Sequence, residues 1–91
     1  MKFNSDEIAR ATKGIVISDG GAGRICTDTR VVTSGDWFLA LVGDRFDGHA
    51  FLQQAQEKGA AGCIVSQDVK DWVGGCVRVP DTTVALQDLG R

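Results

Sequence analysis

The sequence contains one unbroken apolar run of strand length, residues 37–42 (WFLALV), bounded by Gly35-Asp36 and Gly43-Asp44. Such a run is typical of a strand that is buried on both faces, as in the parallel sheets of α/β proteins. The residues after it lead into a helix, and open α/β sheets bind ligands in the loops that connect a strand's carboxyl end to the next helix. The sequence therefore predicts an α/β fold with its functional site within residues 27–51.

The apolar run begins a predicted crossover. Residues 50–59 have the pattern of a helix that ends at Gly59, and residues 61–66 return as a strand. The two strands should therefore be parallel, with a right-handed connection. We expect a small, three-layer-like α/β domain with a mixed, partly parallel sheet of about five strands flanked by helices. The first helix is predicted over 5–12, capped by Ser5 and stopped at Lys13-Gly14, and the last helix is capped by residues 81–83, with Asp81 first, and runs through Leu89. The other predicted elements are strands over 14–18, 24–27 and 76–79, and a connection over 67–75 in which Trp72 covers the core.

A glycine-rich segment, residues 19–23 (DGGAG), invites comparison with nucleotide-binding loops. A phosphate-binding loop needs Gly-x-x-x-x-Gly-Lys-Ser/Thr, and no such lysine follows these glycines. A dinucleotide fingerprint needs a helix after the glycines, whereas residues 24–27 (RICT) favour a strand. We therefore expect this segment to be a hairpin turn.

Charge and hydrophobicity exclude several classes of protein. The 91 residues include 10 Lys+Arg and 12 Asp+Glu, a net charge of −2, so no overall basic field attracts nucleic acid or an anionic membrane. The first ten residues lack the apolar stretch of a secretory signal, and no segment approaches the ~20 apolar residues of a membrane span. We expect a single domain, located in the cytoplasm, with neither nucleic acid nor a membrane as a partner.

The three cysteines are Cys26, Cys63 and Cys76. Their number is odd, they lack the C-x-x-C spacing of zinc and redox sites, and each lies in a segment that favours a strand. A free thiol in a strand acts as a small core hydrophobe. The sequence thus predicts reduced core cysteines and no metal site.

Three ordered motifs carry a resemblance to a known family. They are Asp-Thr-Arg at 28–30, Gly-Asp-x-Phe-x-Ala-Leu-x-Gly at 35–43 and Arg-Phe-Asp-Gly-His-x-Phe at 45–51, followed by a short helix and Gly-Ala. This pattern resembles the amino-terminal domain of Mur ligases, the ATP-dependent enzymes that build the peptide of bacterial peptidoglycan on a UDP-N-acetylmuramoyl carrier. It is most similar to the MurF type, which adds D-alanyl-D-alanine, and next to the MurE type, which usually has Asp-Ser-Arg in the first motif.

The resemblance implies a domain that anchors the UDP end of UDP-N-acetylmuramoyl-peptide, while the central and carboxy-terminal domains of the parent ligase supply the ATP and amino-acid sites. It implies that Thr29 and Arg30 contact the uridine diphosphate, that Asp44, Arg45 and Phe46 lie along the uracil and ribose, and that Asp47, Gly48 and His49 close the loop. Nothing in the chain matches the Gly-Lys-Thr loop of those ligases. We therefore expect no catalytic residue, no cofactor and no activity of the chain alone, with ATP and magnesium bound only by the full-length parent.

The chemistry of these residue types suits UDP, although each has a structural alternative. Arginine and backbone N–H groups bind a diphosphate, and an aromatic side chain stacks on a flat base. Alternatively, Arg30 pairs with a nearby aspartate, Asp47 caps a helix, Phe46 covers the core and His49 is structural. A small interaction or scaffold module without a nucleotide site is the competing function.

Overall fold

A computed structural model of the chain describes residues 1–90. The amino-terminal half contains α1 (Ser5–Thr12), β1 (Ile15–Ser18), β2 (Ile25–Cys26) and β3 (Trp37–Leu39). A hairpin of β4 (Val42–Gly43) and β5 (Phe46–Asp47) follows, and then a 3-10 turn (Gly48–Phe51) that continues into α2 (Leu52–Glu57). The chain ends with β6 (Gly62–Val65), β7 (Gly75–Arg78) and α3 (Thr82–Leu89). No helix within residues 1–90 is long and apolar enough to span a membrane.

The main sheet has five strands in the order β1-β7-β6-β3-β2, and β4 pairs with β5 in a separate two-stranded sheet. The pairs β2–β3, β3–β6 and β6–β7 are parallel, and β1 runs antiparallel to β7 at one edge. The predicted mixed, partly parallel sheet of about five strands is therefore confirmed. The crossover from β3 through α2 to β6 is also confirmed, with Phe38 opposite Cys63.

The core lies on both faces of the main sheet, and Trp37 and Phe38 point to opposite faces, as adjacent residues of a strand do. Cys63 and Cys76 are buried on the face of Phe38, where Trp72 packs as expected. All three cysteines are free. The buried residues of the face covered by α1 and α3 are Ile8, Trp37, Leu39, Ile64, Val77, Val79, Ala85 and Leu89. Those of the face covered by α2 are Val32, Phe38, Ala40, Ala55, Cys63, Val65 and Cys76.

The first helix is capped one residue earlier than predicted. The side chain of Asn4 accepts a hydrogen bond from the backbone of Glu7 (2.9 Å), and the Glu7 carboxylate accepts one from the backbone of Asn4 (3.0 Å). This reciprocal capping box satisfies two free backbone donors. Ser5, the predicted cap, instead lies buried in the first turn and donates to Asp19 (3.1 Å). The helix ends as expected at Lys13, which adopts the left-handed conformation (φ 58°). At the last helix, the expected cap Asp81 accepts from the backbone of Thr83 and Val84.

The glycine-rich segment 19–23 is not a hairpin turn, so that prediction is wrong. The strands that flank it, β1 and β2, lie at opposite edges of the main sheet. The segment crosses the amino-terminal ends of the intervening strands, and a Cβ on Gly20 would lie 2.8 Å from the Cα of Gly75 and 2.9 Å from the Trp37 ring. The crossing needs glycine because the backbone passes this close to its neighbours.

The predicted strand over 37–42 ends early, at Leu39, and Val42 is 47% exposed instead of buried. The chain turns after Ala40, because the N–H of Gly48 donates to the carbonyl of Leu41 (2.6 Å) and Gly48 packs against both residues. Val42 then pairs with Asp47 in the hairpin. The last part of the apolar run therefore helps to build a flap beside the sheet.

Candidate functional site

A cavity of about 450 Å³ lies where β2 and β3 end, at the carboxyl edge of the parallel strands. Its volume is in the range of small-molecule sites. Apolar side chains form one part of its wall, and polar groups of residues 27–30 form another. The lining residues are Thr27, Asp28, Thr29, Arg30, Phe38, Leu41, Phe46, Phe51 and Gln54.

Arg30 stands at this cavity in a tight pair with Asp28. The Asp28 carboxylate accepts from the backbone N–H of Arg30 (2.9 Å) and from Nε and Nη2 of its guanidinium (3.1 and 2.8 Å). These bonds, with that from the side chain strongest, lower the pKa of Asp28 to about 2. The Arg30 side chain is 87% exposed. The pairing expected as the structural alternative is therefore present, and Nη1 of the guanidinium still has its donors for a ligand.

Thr29 links the cavity wall to the end of α2. Its Oγ1 donates to the side-chain carbonyl of Gln54 (3.2 Å), and its backbone carbonyl accepts from Nζ of Lys58 (2.5 Å). The charge of Lys58 also contributes to the lowered pKa of Asp28, which places this ammonium near the pair. Thr29 is itself buried, 8% exposed, so its hydroxyl holds the turn and is not displayed on the surface.

Phe46 forms the aromatic part of the wall. Its ring stacks on that of Phe51, with centroids 5.7 Å apart and planes inclined by 21°. Phe46 is 48% exposed, so one side of the stacked pair remains accessible. Asp44 and Arg45 occupy the turn between β4 and β5, where both are exposed and outside the cavity lining.

The remaining predicted site residues lie at the base of the hairpin. The Asp47 carboxylate caps the 3-10 turn by accepting from the backbone N–H of His49 (2.9 Å), and it also contacts Nδ1 of the His49 ring (2.6 Å). Both contacts, the backbone one first, lower the pKa of Asp47. The His49 side chain is 4% exposed and borders a different cavity of about 540 Å³, between α2 and residues 67–72.

The structure thus brings Thr29, Arg30 and Phe46 together around one cavity and places Asp44, Arg45, Asp47, Gly48 and His49 beside it. Sequence reasoning missed Phe51, Gln54 and Lys58. A signal was present, since Gln54 and Lys58 follow Phe51 by three and seven residues, which puts the three on one helical face.

Comparisons with known proteins place this geometry in a family. The sequence model described as "Mur ligase family, catalytic domain" matches residues 23–87. The UDP-N-acetylmuramoyl-tripeptide--D-alanyl-D-alanine ligase of Synechocystis sp. is 47% identical over 68 residues, covering 71% of this chain and 15% of the relative. A diaminopimelate ligase of Gloeobacter violaceus, whose substrate is named as UDP-N-acetylmuramoyl-L-alanyl-D-glutamate, is 41% identical over 59 residues, covering 63% of this chain and 12% of the relative.

Solved structures agree with the sequence matches. The UDP-N-acetylmuramoylalanyl-D-glutamyl-2,6-diaminopimelate--D-alanyl-D-alanyl ligase of Acinetobacter baumannii superimposes with a TM-score of 0.90 and 35% identity, covering 99% of this chain and 21% of that protein. The predicted fold class is thereby confirmed. The chain spans about a fifth or less of the length of these three proteins.

Proposed function

This chain belongs to the Mur ligase family and corresponds to the amino-terminal domain of a MurF-type ligase, and we propose that it anchors the UDP part of UDP-N-acetylmuramoyl-tripeptide. One observation carries the proposal. Two of the motifs that mark the family resemblance, Asp-Thr-Arg at 28–30 and the segment around Phe46, meet at a single cavity of small-molecule size. That cavity combines an accessible aromatic face with the exposed guanidinium of Arg30, which is paired with Asp28 through Nε and Nη2 and keeps the donors of Nη1.

The two ends of a nucleoside diphosphate match these two parts of the wall. A flat uracil ring stacks on the accessible side of Phe46, while Phe51 supports the other side of that ring. The diphosphate binds the free guanidinium donors of Arg30, which form charge-assisted hydrogen bonds, with Lys58 adding positive charge nearby. Asp44 and Arg45 form the hairpin turn directly before Phe46 and lie along the ribose. Asp47, Gly48 and His49 hold that turn in place.

The ligation step belongs to other parts of a longer protein. The sequence has no Gly-x-x-x-x-Gly-Lys-Ser/Thr loop, so it lacks the backbone cradle and the lysine with which such a loop binds the phosphates of ATP. We infer that residues 1–91 form the substrate domain of a cytoplasmic peptidoglycan ligase. Its partners are then the UDP-linked peptide and the central and carboxy-terminal domains that complete the enzyme.

A MurE-type parent is the second candidate, and the diaminopimelate ligase of Gloeobacter violaceus supports it. The names of both kinds of relative include a UDP-N-acetylmuramoyl group, whereas they differ in the peptide and in the residue added. Binding of the UDP end is therefore common to both candidates.

Titration of the 15N-labelled protein with UDP tests the proposal. We expect amide shifts concentrated at Thr29, Arg30 and Phe46, with a Kd in roughly the high-micromolar to millimolar range because the site is open and its contacts are few. Arg30→Ala should weaken binding about tenfold, as expected for the loss of a charge-assisted hydrogen bond.

Arg10→Ala is the matched control, since it removes an exposed arginine from α1, on the opposite face of the sheet, with the same change in net charge. It should leave the affinity for UDP unchanged. Amide shifts that stay constant up to several times the highest expected Kd would reject UDP binding and favour the scaffold function.

A further inference from the structure

His49 is the one histidine of the chain, and hydrogen bonds occupy both of its ring nitrogens. Nε2 accepts from the backbone N–H of Ser66 at 3.1 Å. Since a backbone N–H only donates, Nε2 carries a lone pair and the ring proton sits on Nδ1, where it is donated to Asp47 at 2.6 Å. The hydrogen-bond partners thus define a neutral imidazole with a fixed tautomer. A ring that is 4% exposed, with both nitrogens used, is in no position to act as a ligand contact or a general base.

The contacts of His49 join two separate parts of the fold. Ser66 directly follows β6 of the main sheet, whereas Asp47 is the last residue of the hairpin that carries Phe46. The two strands of that hairpin are two residues long and pair with each other, outside the main sheet. Two-stranded hairpins are marginally stable by themselves, so their orientation depends on attachments to the rest of the protein.

The base of the hairpin has two such attachments. The N–H of Gly48 donates to the carbonyl of Leu41 (2.6 Å), which closes the hairpin, and the N–H of Ala40 donates to the carbonyl of Ile64 (3.0 Å), which fixes the start of the hairpin next to β3. The bond from Ser66 to His49 adds a second point, at β6. One point of attachment permits rotation about it, whereas two points fix an orientation. Phe46 is close to this second point, because the next residue, Asp47, is bonded to the His49 ring.

We propose that His49 is a positioning residue for UDP binding. Its neutral ring ties the β4–β5 hairpin to the end of β6 and so holds Phe46 at the cavity wall. This inference rests on the proposed UDP site, and it extends that proposal by assigning His49 to the support of the site and not to contact with the ligand. Without the His49 ring, Phe46 keeps its stack on Phe51 but the hairpin that carries it is less fixed, so Phe46 samples more orientations and ligand binding must order it again.

Three substitutions separate the two hydrogen bonds of the ring. His49→Gln places an amide oxygen near the position of Nε2 and retains an acceptor for Ser66, whereas His49→Asn places an amide N–H near Nδ1 and retains the bond to Asp47. His49→Ala retains neither. Because the bond to Ser66 is the one that reaches the main sheet, we expect Gln to keep UDP affinity within about twofold, and Asn and Ala to weaken it about fivefold to tenfold.

The readouts are UDP titrations by NMR together with the ring proton shifts of Phe46 in the free protein, which should move in the Asn and Ala variants and stay near their original values in Gln. Asp81→Ala is the control for stability, because it removes the cap of α3, remote from the cavity, and should lower the melting temperature without changing affinity or the Phe46 shifts. If His49→Ala does not fold, the comparison of Gln with Asn decides the matter.

Equal affinities in the Gln and Asn variants, or a greater loss in Gln, would overturn the positioning role, since the tie to Ser66 would then have no special effect. Failure of the unmodified protein to bind UDP would instead refute the proposed function. In that case the Phe46 shifts still report whether His49 orients the hairpin, so the two ideas fail separately.

Discussion

The Trp37 ring is enclosed by glycines, and this arrangement makes a sharp prediction about stability. A Cβ added at Gly62 would lie 2.5 Å from Cζ3 of the ring, and one at Gly75 would lie 2.6 Å from Cη2. At Gly20 the distance to Cζ2 would be 2.9 Å. The ring is fully buried, and its Nε1 donates to the carbonyl of Gly21 at 2.7 Å. The indole is therefore held from several directions and has little room to move.

Gly62→Ala forces this ring to shift. Carbon atoms pack at about 3.5–4.0 Å, so a Cβ at 2.5 Å requires a displacement of about 1 Å. Overpacking of this kind destabilises a core by about 1–3 kcal/mol, and we place Gly62 at the upper end because Gly20 and Gly75 block the retreat of the ring. Replacing a strand glycine also recovers roughly 0.5–1 kcal/mol of backbone entropy. The expected net loss is about 2 kcal/mol, or roughly 8–16 °C in melting temperature for a domain of this size.

Urea denaturation followed by far-UV circular dichroism measures this loss. Gly21→Ala is the matched control, because a Cβ there meets no atom within 4 Å, and it should change the free energy of unfolding by less than about 1 kcal/mol. Adding Trp37→Phe removes the ring atoms that clash, so Gly62→Ala should cost less in that background than in the native one. A Gly62→Ala variant as stable as Gly21→Ala, or a cost that Trp37→Phe leaves unchanged, would refute the enclosure of the ring.

Two further predictions concern titration and reactivity. Cys26 is half-buried and should react first with a thiol reagent under native conditions, while Cys63 and Cys76 react slowly because both are buried. The adjacent Cys76 sulfur and burial also raise the pKa of the Cys63 thiol, whereas Cys63 lowers the pKa of Cys76, so Cys76 should be the faster of the buried pair; equal labelling rates of all three, followed by mass spectrometry, would contradict this. Asp28 should titrate near pH 2 by carboxyl NMR, and since its pKa lies below the usual 3.8, its contribution to stability is present above pH 3.8 and is lost as the pH falls through 2. Arg30→Ala should raise that pKa but leave it below 3.8, because the backbone N–H bond remains; an unchanged pKa would contradict the pairing.

The sequence predicted the parts of the fold that depend on local pattern. The apolar run, the helix ending at Gly59 and the next strand were enough to infer the parallel pair of β3 and β6, because a crossover of this length has few alternatives. The opposite placement of Trp37 and Phe38 follows from strand geometry alone. The cap at Asp81 is likewise a local signal.

The wrong predictions concern features of the fold that depend on tertiary contacts. A glycine-rich segment between two strands is compatible with a hairpin, and only the positions of β1 and β2 in the sheet show that it crosses the strand ends. The apolar run carries no signal of where its strand ends, since the turn at Leu41 depends on Gly48, seven residues later. The hydrogen bond from Lys58 to the carbonyl of Thr29 depends on packing between segments that are 29 residues apart.

The same distinction explains why motifs alone did not define the site. The motif around 45–49 is continuous in sequence, yet the hairpin turns Phe46 toward the cavity and the following 3-10 turn directs His49 to the carboxyl end of β6, the central strand of the main sheet. Within one short motif, Phe46 lies at the cavity wall and His49 supports the hairpin that carries Phe46. Both are needed if Phe46 is to meet a ligand in one orientation. Of the glycines that enclose Trp37, Gly62 and Gly75 begin β6 and β7, at the amino-terminal edge of the parallel strands, whereas the cavity lies at their carboxyl edge. Substitutions there should therefore change the stability of the domain, and substitutions at His49 the orientation of the wall, with little coupling between the two sets.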